Sequence, residues 1–315
     1  MNAQMSDSPV SAVLSLPESA SGGARLAEAL GCPAIPIECH RFPDGETRVR
    51  VPELPSGHIA LYASLDDPDA KLVALMLAAS TAREMGARPL TLVAPYLCYM
   101  RQDIAFRPGE AISQRIIGRF LAGLFDGVVT VDPHLHRVSN LAEAVPVRSA
   151  IALSAAPAIG RMLREHGLKP LLLAPDEEAR QWVSEVAAEA GLEYAVCTKR
   201  RSGDRLVEVR LPEMAFAGRD VMLVDDVAST GRTLIAAAKQ LIAAGAANVD
   251  VAVTHPLFVG DALEALRGTG VRRIWSGDGI THSTNAIRLS PLLATAFRSR
   301  GVSPARHPPP GQTAP

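Results

Sequence analysis

The chain has 315 residues, 48% of them hydrophobic but only 4% aromatic, and a formal net charge of -1. That length holds one large or two ordinary α/β domains, and the Ala-, Val- and Leu-rich interior suits helices packed on parallel sheets. The near-zero charge argues against a basic field for nucleic acid, so an anionic ligand must be met by local cations.

Residues 1–10 are polar and predict a frayed end, without the basic region and apolar core of a secretion signal. Residues 11–16 predict a strand, and 18–30 a helix that stops near Gly31. Residues 40–51 predict a hairpin: Asp44-Gly45 is a turn pair, and Thr47-Arg-Val-Arg-Val51 alternates polar and apolar. A strand over 59–64, a helix over 69–86 ended by glycine and a buried strand over 90–95 follow. The last opens onto the polar loop 96–111, at the kind of strand end where open α/β sheets bind ligands. The next helix carries Ile112, Ile116, Ile117, Phe120 and Leu124. A strand over 128–131 then opens onto Asp132-Pro-His-Leu-His-Arg137. Residues 141–151 read as the crossover to a second half.

That half predicts a helix over 154–166 and a strand over 171–174 that opens onto Pro175-Asp-Glu-Glu-Ala179. A helix through Ala188 and a strand over 194–197 come next. Lys199-Arg-Arg-Ser-Gly-Asp204 reads as a charged loop of mobile type, and 205–210 as a β segment. Val221 to Val224 is a continuously apolar strand, as in a sheet covered on both faces. Asp225 and Asp226 follow it, then the turn Ala228-Ser-Thr-Gly-Arg-Thr233, then a helix with Leu234, Ile235, Ala238, Leu241 and Ile242 on one stripe and Gly245 as its stop. A hydroxyl-rich turn at a helix N-terminus offers backbone N–H groups and the positive end of the dipole, which suits a phosphate. Two carboxylates just before it can hold the hydroxyls of a sugar bearing that phosphate. A strand over 249–254, a helix over 261–266, a strand over 272–275 and a helix over 291–298 close the fold, and the proline-rich tail from Ser303 reads as disordered.

The strand–helix alternation predicts two doubly wound α/β domains with parallel sheets, 11–150 and 151–302, flanked by flexible tails. No sequence repeat between the halves is visible. The four cysteines (Cys32, Cys39, Cys98, Cys197) form neither a CxxC pair nor a zinc spacing. They read as reduced thiols of a cytoplasmic protein, and no apolar run is long enough to span a membrane.

The order of acid pair, phosphate turn and helix resembles the ribose-5-phosphate loop of the type I phosphoribosyltransferase fold. With the loops at 42–46, 101–103, 132–134, 175–179 and 199–201, the chain resembles the ribose-phosphate pyrophosphokinases (phosphoribosyl pyrophosphate synthetases) over roughly residues 11–300. The run from Arg101 to Ser113 resembles the archaeal-type branch. The resemblance implies two type I phosphoribosyltransferase-like domains. It also implies transfer of the β,γ-diphosphoryl group of ATP to the C1 hydroxyl of ribose 5-phosphate, with Mg²⁺, releasing AMP. Such a transfer depends on positioning and charge neutralisation more than on covalent chemistry.

By the same resemblance, Asp225, Asp226, Ser229, Thr230, Gly231, Arg232 and Thr233 hold ribose 5-phosphate. Arg101, Gln102 and Asp103 form an ATP loop, the Arg101 guanidinium forking onto phosphate oxygens. Phe42 would stack on the adenine of an adjacent subunit while Asp44 and Glu46 bond its amino edge, which requires a homo-oligomer with a shared active site. His134, supported by Asp132, and Asp176 match metal positions; histidine is an unusual magnesium ligand, so that role rests on the resemblance alone. His136 is as readily a packed or solvated histidine, and His255 a supporting one. Lys199 and Arg201 match the cations of a loop that closes over the diphosphate. The motifs supply no general base for the C1 hydroxyl.

One loop departs from the family pattern. Glu177-Glu178-Ala179 stands where the family has Ala-Gly-Gly, which removes backbone freedom and adds negative charge. The glutamates either face solvent in the first turn of a helix or hold another cation. The departure motivates one alternative, a non-catalytic regulatory paralogue, and the stretch from Val221 to Leu234 by itself permits another, a phosphoribosyltransferase acting on a nucleobase. Neither nucleic acid nor membrane is an expected partner.

Overall fold

The computed structural model describes residues 9–135, 138, 140–202 and 206–298, and for 199–208 no more than the backbone. His136, the expected tail from Ser303 and residues 1–8 of the expected N-terminal tail lie outside the described residues, and Val10 already belongs to a strand.

The chain builds the same topology twice. The first half runs β1 (Val10–Ser15), α1 (Ala20–Leu30) and β2 (Ala34–Pro36), then a hairpin of β3 (Glu38–Arg41) and β4 (Thr47–Arg50). It continues through β5 (Gly57–Tyr62), α2 (Pro68–Glu84), β6 (Ala87–Ala94), α3 (Ser113–Leu124), β7 (Gly127–Val131), α4 (Leu141–Ala144) and β8 (Ser149–Leu153). The second half runs α5 (Ala156–Glu165), β9 (Leu171–Ala174), α6 (Arg180–Ala190) and β10 (Tyr194–Val196), then a hairpin of β11 (Thr198–Ser202) and β12 (Leu206–Arg210). It continues through β13 (Asp220–Ala228), α7 (Arg232–Ala243), β14 (Asn248–Pro256), α8 (Ala262–Arg267), β15 (Arg273–Gly277) and β16 (Asn285–Ile287), and α9 (Ser290–Arg298) closes the chain.

The sheets have the orders β2-β1-β5-β6-β7-β8 and β10-β9-β13-β14-β15-β16, and every pair within them is parallel. Each half inserts its antiparallel hairpin between its second and third strands. The two-domain parallel α/β architecture is therefore as expected, and the halves share a topology that their sequences do not advertise. The strands are apolar because helices cover the sheets: Leu14, Leu61, Leu92 and Val128 centre the first core, and Leu173, Leu223, Val251 and Val253 the second.

Several expectations change. Residues 199–202 are not a loop but strand β11, in register with β12 from Thr198↔Arg210 to Ser202↔Leu206. Antiparallel pairing overrides the poor strand propensity of the charged run. Residues 141–151 are more than a crossover, since they hold α4 and most of β8, the sixth strand of the first sheet. The division between compact units falls after Leu153, and α9 belongs with the first unit rather than the second. It packs on α1, β7 and β8, with the Phe297 ring 5.7 Å from that of His58. Ile116 and Ile242 are exposed rather than buried. On α3 the buried residues are Gln114, Gly118 and Leu121, and Gly118 lies so near Ala144 that a Cβ there would be 1.7 Å from its carbonyl oxygen.

Candidate functional site

The acid pair belongs to the end of β13 itself, not to a loop after it. Parallel registration of β13 with β9 pairs Leu223 with Leu173, which brings Pro175-Asp176 to the level of Asp225. The electrostatics report the same proximity. The carboxyl of Asp225 is pushed well above the ordinary carboxylate range by burial first, then by the charges of Asp226 and Asp176. Its Oδ1 also accepts the Asp226 N–H at 3.0 Å. Asp176 is 8% exposed, and its Oδ1 accepts the Ala179 N–H at 3.2 Å, which closes the turn into α6. Cys197 lies against the same cluster, its thiol raised to about 12 by burial and by Asp176. It is an inert neighbour rather than a nucleophile.

The phosphate turn follows directly. Ser229 is half-buried, Thr230 is exposed, and Gly231 is the N-cap of α7 in the left-handed region at φ 67°. Among the described residues no side chain caps this helix, so the first-turn N–H groups, Thr233 among them, and the positive end of the dipole stand available to an anion. Arg232 at the first helical position is exposed. In the topologically equivalent turn of the first half, between β5 and α2, no side chain caps the helix either, but the surroundings differ. Pro68 removes an N–H there, and Lys71 Nζ lies 3.0 Å from Asp66 Oδ1 and donates to the Ser64 carbonyl at 3.0 Å. The turn before α7, by contrast, has no proline and keeps its first-turn N–H groups.

Glu177 and Glu178 are both exposed and precede α6 rather than forming its first turn. The Glu177 carboxylate is forked by Arg180, whose Nη2 donates to Oε2 at 2.8 Å and whose Nε also donates. Sequence reading had missed Arg180, although its spacing of three from Glu177 was visible. The added charge at Glu177 is thus met by a guanidinium.

In the first half, the β3–β4 hairpin has Cys39 opposite Val49 and Arg41 opposite Thr47. Its tip turns at Gly45, φ 93°, and Asp44 Oδ1 accepts the Glu46 N–H at 3.1 Å. Phe42 is 39% exposed and meets the His40 ring edge-on, with centroids 4.8 Å apart. Past β6, Arg101 is exposed, Gln102 accepts from Ser113 at 3.4 Å, and Asp103 is buried. Asp132, just past β7, has φ 39°, a conformation that costs a non-glycine residue energy and marks strained sites. It leads to half-buried His134.

Lys199 and Arg201 stand two apart on β11, in register with Val209 and Val207. His134 belongs to the first unit and Asp176 to the second. His255 is buried at the end of β14, opposite Val227. All four cysteines are free. Among the described residues, no helix is long and apolar enough to cross a membrane, and no three His, Cys, Asp or Glu form a metal-holding cluster.

Comparison with known proteins follows these lines. Residues 12–124 match the family model of the N-terminal domain of ribose phosphate pyrophosphokinase, and residues 150–273 match that of the phosphoribosyl transferase domain. The chain is 37% identical over 292 residues to a ribose-phosphate pyrophosphokinase of Methanopyrus kandleri, covering 91% of this chain and 98% of that one. It is 34% identical over 277 residues to the same enzyme of Methanothermobacter thermautotrophicus, covering 87% and 95%. A crystal structure of phosphoribosylpyrophosphate synthetase from Mycobacterium smegmatis has the same fold, with a TM-score of 0.77 at 22% identity over 91% of this chain and 97% of that one.

Proposed function

The chain belongs to the ribose-phosphate pyrophosphokinase family, and on that premise we propose how its own residues divide the work. The enzyme transfers the diphosphoryl group of ATP to the C1 hydroxyl of ribose 5-phosphate, giving phosphoribosyl pyrophosphate and AMP. The observation that carries the division is the convergence of Asp176, Asp225 and Asp226 beside the uncapped N-terminus of α7. Sugar hydroxyls donate to the Asp225 and Asp226 carboxylates, and the 5-phosphate accepts N–H groups from Ser229–Thr233. A donor or cation beside Asp225 offsets the burial and crowding that raise its carboxyl above the ordinary range.

The residues fit magnesium of the kind that kinases use. Mg²⁺ binds through one or two carboxylates, substrate phosphates and water, and Asp176, Asp225 and Asp226 supply oxygen donors near one another. Asp176 would hold it in the second unit, and His134 is a separate metal candidate of the first. Bound there, the ion would neutralise diphosphate charge. Lys199 and Arg201 supply the remaining positive charge where it develops in the transition state. Arg101, Gln102 and Asp103 hold ATP, and Phe42, Asp44 and Glu46 hold the adenine of an adjacent subunit in a homo-oligomer.

The test is AMP release that requires ribose 5-phosphate, ATP and Mg²⁺ together. Pyrophosphate release with a nucleobase and no ATP would favour the transferase reading instead.

A further inference from the structure

The phosphate turn has a second wall that its own sequence does not contain. Residues 257–261, between β14 and α8, lie along it. The Phe258 N–H donates to the Ala228 carbonyl at 2.8 Å, and the Val259 N–H to the Ser229 carbonyl at 3.0 Å. A Cβ on Gly231 would sit 3.7 Å from Ala262, the first residue of α8. Phe258 adopts φ 37°, a left-handed conformation that a bulky residue keeps only when its surroundings enforce it.

The enforcement is visible. The Phe258 ring is 7% exposed within the second core and stacks on the His282 ring, with centroids 5.2 Å apart and planes 26° apart. His282 is fixed in turn. Its Nδ1 lies 2.8 Å from Thr284 Oγ1 and accepts the Thr284 N–H at 3.3 Å, and its own N–H donates to Asn285 Oδ1 at 2.8 Å. Thr284 Oγ1 pairs with Ser276 Oγ at 2.8 Å, and the Asn285 amide donates to the Gly277 carbonyl at 2.7 Å. A chain of contacts thus runs from β15 and β16 through one aromatic pair to the backbone of the turn.

We propose that Phe258, held in its left-handed conformation by the His282 ring, is a positioning residue that sets the shape of the Ser229–Thr233 turn and hence its affinity for the phosphate of ribose 5-phosphate. The proposal rests on the reading that this turn holds that phosphate. Neither side chain touches the reacting atoms; both act through the two backbone bonds to β13 and the turn.

The experiment measures ribose 5-phosphate binding by calorimetry without ATP, together with kcat and both KM values, on the full chain. Phe258→Leu and His282→Ala are expected to raise the dissociation constant and KM for ribose 5-phosphate roughly tenfold or more, as small misplacements of binding groups do. kcat and KM for ATP should stay within about twofold. His282→Phe, which keeps a stacking ring, should restore most of the affinity. If Phe258→Leu does not fold, the contrast of His282→Ala with His282→Phe carries the test alone. Unchanged affinity in folded Phe258→Leu and His282→Ala overturns this inference and leaves the assignment of the turn standing. So does a loss spread equally over kcat and both KM values. Wild-type protein that fails to bind ribose 5-phosphate overturns the assignment of the turn as well.

Discussion

Asp225 is the residue on which stability and function pull in opposite directions. Burial, then Asp226, then Asp176 raise its folded-state pKa above the unfolded value. Between those two values the folded protein binds the extra proton, so ligand-free stability falls as pH rises through the window and levels off above it. Asp225→Asn should therefore raise the melting temperature of the ligand-free enzyme by a few degrees at neutral pH and flatten its dependence above pH ~4. It should also lower ribose-5-phosphate-dependent AMP release by about 10²-fold or more. Calorimetric scans across pH, beside the assay, check both halves; a less stable variant would contradict the crowding of the three acids. For Lys199→Ala and Arg201→Ala the losses expected of charges that act on the transition state are about 10²–10³-fold in kcat with KM for ribose 5-phosphate nearly unchanged. Activity that survives the double replacement would remove both from the chemistry.

At the level of elements, the turn between β9 and α6 shows how a departure in sequence is absorbed. Asp176 closes the turn by accepting the Ala179 N–H, while Glu177 points to Arg180 and both glutamates stay in solvent. An exposed ion pair of this kind contributes only about 0–1 kcal/mol. Glu177→Gln and Glu178→Gln should accordingly leave kcat and the Mg²⁺ requirement within about threefold, read by titrating Mg²⁺ in the AMP assay. A shift of more than tenfold in the Mg²⁺ midpoint would mean that the glutamates hold a cation. The two hairpins give the second lesson at this scale. β3–β4 and β11–β12 occupy the same place in the two halves, so the Phe42 tip and the Lys199–Arg201 strand are variants of one structural device.

For the molecule as a whole, the assignment of Phe42 to a neighbour's ATP site requires assembly. Mixing Phe42→Ala with Lys199→Ala should restore activity that neither variant has alone, because some mixed sites receive an intact hairpin and an intact catalytic strand. Light scattering should show a dimer or larger species, with activity falling on dilution below its dissociation range. A fully active monomer, or mixtures no more active than their components, would confine each site to one chain.

Much of this protein is legible in its sequence. Strand and helix periodicity, the apolar run Val221–Val224 and the Ser229–Thr233 turn are local signals, since side-chain spacing and turn chemistry act within a few residues. They determined the alternating α/β class, the turn between β13 and α7 and the resemblance to the family. Tertiary structure decided what depends on partners distant in the chain. Pairing with 206–210 made a strand of the charged run at Lys199, and the first sheet claimed α9. Packing of α3 turned Ile116 outward. Parallel registration of β9 with β13 brought Asp176 to Asp225, and the stack on His282 fixed Phe258 behind the turn. Contacts of this kind are set by strand register and by which faces are covered, and no periodicity within one segment encodes them.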